Sequence, residues 1–95
     1  MALFLVVAID DQSGTAIQAA LTAKFPNNYY TLAPCRWFVS SNSPTAMDLS
    51  DALGITNAGG ATVLLGIVVS IKGYYGSAPG NVWEWVAAKV ERANG

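Results

Sequence analysis

The sequence has no histidine and a single cysteine, Cys35, among its 95 residues. One thiol cannot close an internal disulfide, and neither a cysteine cluster nor a histidine-containing metal site can be built from this inventory. Serines are plentiful, but no imidazole exists to act as their base, which removes the usual nucleophilic triad. Charge is scarce too. Only 12% of the residues are charged, against about 25% in ordinary globular chains, and the formal net charge is -1. The five cations Lys24, Arg36, Lys72, Lys89 and Arg92 are scattered, so the basic footprint that neutralises nucleic-acid phosphates is missing. No Walker pattern and no GxGxxG occurs, and no repeat, linker or low-complexity tract interrupts the chain.

What the chain has in quantity is apolar surface. Hydrophobic residues make up 53% of the sequence, and a chain of this length makes one domain, residues 1–95, able to fold alone with a thin margin. So few charges cannot coat its surface, which points to a homo-oligomer. The opening MALFLVVAIDD has no basic region and runs into Asp10 and Asp11. It reads as a strand, not as a signal peptide or a membrane span, which needs about 20 apolar residues. A lone cysteine suits a reducing, cytoplasmic location.

The longest apolar run, Ala61 to Gly76, is rich in branched residues and ends in Gly73-Tyr74-Tyr75-Gly76. It predicts a strand of about ten residues with Val63, Leu65, Ile67, Val69 and Ile71 on one face and Leu64, Gly66 and Val68 on the other. Such a strand needs cover on both sides. Ala2 to Ile9 has the same two-faced character and reads as a central strand. A capping box, Thr15 with Gln18, predicts a helix carrying Ile17, Ala20, Leu21 and Phe25 and stopped by Pro26-Asn27-Asn28. Tyr29 to Ala33 and Arg36 to Ser41 read as short strands around a Pro34-Cys35 turn. Ser43 before Pro44 predicts a second helix start, with Gly54 as its left-handed C-cap. Asn81 with Glu84 predicts a third helix bearing Val82, Trp85, Val86, Lys89 and Val90, with Trp83 off that stripe.

The order strand, helix, strand, strand, helix, strand, helix is an α+β chain: a ferredoxin-like βαββαβ unit with an added C-terminal helix. Right-handed crossovers then set the first strand between the third and the fourth. Asp10, Arg36 and Gly59-Gly60 gather at one end of the sheet, and Lys72 with the Tyr74-Tyr75 turn at the other. Two helices cover one face. The third helix is the local candidate for the opposite face, and if it falls short a second subunit must supply the cover.

An acid closing the first strand (Ala8-Ile9-Asp10), an aromatic hairpin (Tyr29-Tyr30-Thr31-Leu32, then Trp37-Phe38-Val39-Ser40-Ser41) and an apolar strand running into an aromatic-Gly turn together resemble the ferredoxin-like CRISPR adaptation-nuclease superfamily, in its SinR-like branch. The resemblance implies this fold and a dimer. It also implies that Asp10 stands where the nuclease branch holds a divalent metal between two subunits, although the basic surface of that branch is missing here.

Read from the residues alone, Asp10 and Asp11 have two accounts. Two symmetry-related aspartates suit Mg²⁺ with waters completing the shell; alternatively Asp11 sits at the positive end of the first helix and Asp10 pairs with Arg36. Tyr74 and Tyr75 form the most ligand-like stretch, with ring faces for stacking a base, flanking glycines for close backbone approach and Lys72 for a phosphate. The plainer account is a turn whose tyrosines cover the third helix. Trp83 and Trp85 cannot face the same way, which suggests one in the core and one at a subunit contact. Cys35 reads as a bystander without a base or a resolving thiol.

The expectation is a non-enzymatic, homo-oligomeric binding protein without a cofactor. It would hold a small nucleotide-like signalling ligand at subunit interfaces, in a bacterial or phage defence context, through Lys72, Tyr74, Tyr75, Trp83 and Arg36. The alternatives are a Mg²⁺-dependent nuclease using Asp10, and a protein-interaction module using an exposed sheet edge.

Overall fold

Residues 2–43, 45–56 and 64–91 are described by a computed structural model. Four strands, β1 (Ala2–Ala8), β2 (Tyr29–Ala33), β3 (Arg36–Ser41) and β4 (Gly66–Ser70), form one antiparallel sheet in the order β2-β3-β1-β4. Three helices, α1 (Asp11–Lys24), α2 (Ala46–Leu53) and α3 (Gly80–Val86), complete a ferredoxin-like α+β fold with an added C-terminal helix, which continues as a π-helical segment, Ala87–Glu91. The expected strand order and the two-sided pairing of β1 are therefore present.

The sheet's two faces differ in how completely they are covered. On the first face, Phe4, Val6 and Ala8 of β1 lie beside Val39 and Trp37 of β3 and pack with Ile17 and Leu21 of α1 and Leu49 and Leu53 of α2. Alternation along each strand puts the other half of the side chains on the second face. One cross-sheet row there runs Tyr30, Phe38, Leu5, Val69, and the next runs Arg36, Val7, Ile67. Helix α3 lies over the β2 end of these rows. Trp85 meets the Tyr30 ring with centroids 6.0 Å apart, the Asn81 amide donates to the Tyr30 hydroxyl, and Val82 and Val86 are buried. Leu3 of β1, on the same face, is buried as well, whereas the β4 side stays more open. Leu65, Ile67 and Val69 there remain 53%, 54% and 45% exposed.

Several elements differ from the sequence reading, and at α1 and α2 the reason is that another side chain caps the helix. Asp10, not the Thr15–Gln18 box, caps α1 by accepting from the Ser13 N–H at 2.7 Å. Thr45 caps α2, accepting from the Asp48 N–H and donating to its carboxylate at 2.8 Å. Ser43 instead exchanges a hydrogen bond with Ser41, and Pro44 lies outside the described residues. Helix α3 follows Pro79 without a side-chain cap, because Asn81 is spent on Tyr30. The expected ten-residue fourth strand pairs over only five; Val63 and Gly59-Gly60 lie outside the described residues. Gly54 does take the left-handed C-cap, at φ 83°.

Candidate functional site

After Ser70 the chain leaves the sheet, with the Ile71 N–H donating to the Leu3 carbonyl at 2.9 Å, and runs irregularly to α3. That path brings Tyr74 onto Trp83, the residue off the buried stripe of α3. Their rings stack with centroids 6.1 Å apart and planes 18° from parallel. Beside them Tyr75 is wholly exposed. Tyr74, Tyr75, Gly76 and Trp83 line a crevice of about 260 Å³. A Cβ added at Gly73 or Gly76 would meet nothing within 4 Å, so packing inside the fold does not call for glycine at either position.

Of the residues singled out in the sequence, the structure thus joins Tyr74, Tyr75 and Trp83. Lys72 is exposed two residues before Tyr74. Arg36 begins β3 opposite Val7, at the far end of the sheet from this crevice. Tyr74 does partly what the plainer account asks, lying against α3, whereas Tyr75 covers nothing. The two tryptophans face different ways, Trp85 against Tyr30 over the sheet and Trp83 against Tyr74 at its end, but both are half-buried and neither is the core residue expected.

At the opposite end Asp10 is occupied with its helix. The Ser13 backbone N–H, and after it the Ser13 hydroxyl, hold the Asp10 carboxyl below its ordinary range, against a small opposing desolvation. The carboxylate caps α1 rather than pairing with Arg36. Among the described residues no group of three or more His, Cys, Asp or Glu side chains converges to hold a metal ion.

Sequence reasoning missed a second concavity, of about 410 Å³, whose wall includes Asp11, Gln18, Cys35 and Trp37. Gln18 on its wall links helix and sheet. The buried Trp37 indole N–H donates to Gln18 Oε1 at 2.8 Å, and Gln18 Nε2 donates to the Tyr29 hydroxyl at 3.0 Å. Both amide atoms are therefore committed to tying α1 to the sheet. Cys35 sits in the β2–β3 turn at φ 65°, with Sγ 3.8 Å from Asp11 Oδ1. Gly14 makes room for that thiol, since a Cβ there would lie 2.6 Å from Sγ. The available signal was the tryptophan itself: a core indole needs an acceptor, and a glutamine on the facing helix supplies one.

No family model, curated protein or solved structure matches the chain. Among the described residues no helix is long and apolar enough to cross a membrane.

Proposed function

We propose that the protein is a non-enzymatic, homo-oligomeric binding protein that captures a small nucleotide-like ligand in the crevice of Tyr74, Tyr75 and Trp83, close to where copies of the chain meet. The observation that carries this reading is the stacked Tyr74–Trp83 pair with a fully exposed tyrosine beside it. An aromatic platform accepts the face of any base, and stacking contributes about 1–3 kcal/mol per base. Lys72 stands near enough in the chain to meet a phosphate. Arg36, at the far end of its own sheet, reaches such a site only from another copy.

Titration of tryptophan fluorescence with mononucleotides and cyclic dinucleotides tests the proposal. Saturable quenching is expected, weakened about tenfold or more in Tyr75→Ala, whose exposed ring contributes nothing to the core, and lost in Trp83→Ala. A flat response at millimolar ligand would refute it. Cleavage of RNA or DNA with Mg²⁺ that disappears in Asp10→Asn would replace it with the nuclease reading, because asparagine preserves the helix cap while removing the charge.

A further inference from the structure

The outer edge of β4 has a pattern of its own. The Ile9 N–H donates to the Leu65 carbonyl and the Ile71 N–H to the Leu3 carbonyl, each at 2.9 Å. Peptide groups alternate direction along an antiparallel strand, so residues 65, 67, 69 and 71 turn their N–H and C=O toward β1. Gly66, Val68 and Ser70 turn theirs outward, at the end of the sheet order. Natural edges are blunted by charge, proline or bulges. From Leu64 to Ile71 this edge contains no charged residue and no proline, and its pairing with β1 runs without a register shift.

We infer that a second copy of this chain pairs with β4 antiparallel about a two-fold axis through Val68, extending the sheet to β2-β3-β1-β4 and its mirror order. Two features single out a second copy and this register. Only an axis at Val68 lets all three outward residues pair within β4: Val68 with itself, and Gly66 with Ser70 of the partner subunit. Shifting the axis by one residue either way leaves one of them without a partner in the strand. The same register sets Ile67 directly against Val69 of the partner subunit, at a non-hydrogen-bonded position where side chains come closest. Each of these half-exposed apolar side chains thereby gains a neighbour on the face α3 leaves open. A heterologous peptide would satisfy the amides but not this reciprocal set of apolar pairs.

The inference gives the oligomeric part of the proposed function a specific interface and does not depend on any ligand. Its test is a cysteine pair in a Cys35→Ser background. Ile67→Cys with Val69→Cys is expected to give a covalent dimer under mild oxidation, reversed by reductant, because the facing Cβ atoms fall within disulfide reach. Thr31→Cys with Ala33→Cys on the other sheet edge is expected to give none. Val68→Pro deletes an outward N–H that the chain's own ladder does not use, and is expected to shift the protein toward the single-copy mass with its circular dichroism retained. Two-copy protein that fails to cross-link at 67 and 69 would overturn this interface and leave the oligomeric reading standing. Single-copy protein at hundreds of micromolar would overturn both. Nucleotide titration reports on the crevice separately, since Tyr75 takes no part in the strand pairing.

Discussion

At the scale of single residues, the side chains with the most consequence are those whose polar atoms have one available partner. Trp37 is 2% exposed, and its indole N–H goes to Gln18. Gln18→Leu strands that donor, for which we expect a loss of about 1–3 kcal/mol in chemical denaturation. The same substitution should cost less in a Trp37→Phe background, a coupling that a double-mutant cycle reads directly. Asp10 sets an acid dependence. Its carboxyl titrates below the ordinary 3.8 in the folded chain because the Ser13 N–H and hydroxyl favour the charged form. A depressed folded value means that this stabilisation is fully present above the unfolded value and is lost as pH falls through the folded one. Melting temperature followed between pH 6 and pH 2 should therefore fall less steeply below about pH 4 in Asp10→Asn than in the parent chain. An identical acid slope in the two would show that the cap does not titrate with folding.

The elements show how far local pattern reaches. Branched alternation located β2 and β3 at their observed limits and put Leu65, Ile67 and Val69 on one face of β4. The Pro34-Cys35 turn and the Gly54 cap were equally legible, because proline and left-handed backbone constrain the chain locally. Helix starts were less so. Asp10, Thr15, Ser43, Thr45 and Asn81 are all competent caps by type, and the choice among them depends on where the preceding strand releases the chain and on which side chains tertiary contacts consume, as Tyr30 consumes Asn81. Thr45→Ala should lower stability by about 1 kcal/mol by removing the hydrogen bond to Asp48. Gly54→Ala, at φ 83°, should lose about 1–2 kcal/mol through left-handed strain although its Cβ would make only an ordinary contact, 3.8 Å from Leu64 Cδ1. The crevice was only half legible. Tyr74 and Tyr75 announced themselves by type, but their meeting with Trp83 depends on the irregular path from β4 to α3, which no periodicity encodes.

In the whole molecule, cover is unequal. Helices α1 and α2 close the first face over Phe4, Val6 and Val39, each at most 1% exposed, whereas the second face is closed beside β2 and over Leu3 but left open along β4. A 95-residue chain with 12% charged residues has little polar surface with which to screen the rest. The uncovered strand is also the sheet's edge, so hydrogen-bonding groups and apolar side chains seek a partner along the same line. Burial of apolar area by a second copy offsets the cost of association only if the contact extends beyond one pair of side chains, as the two symmetry-related Ile67–Val69 pairs and the outward amides of Gly66, Val68 and Ser70 provide. Sedimentation velocity across a concentration series, from low micromolar to several hundred micromolar, tests this most directly. The expected result is a two-copy species that dissociates on dilution and is weakened by Ile67→Lys with Val69→Lys. A single-copy species throughout, with β4 left bare to solvent, would contradict it.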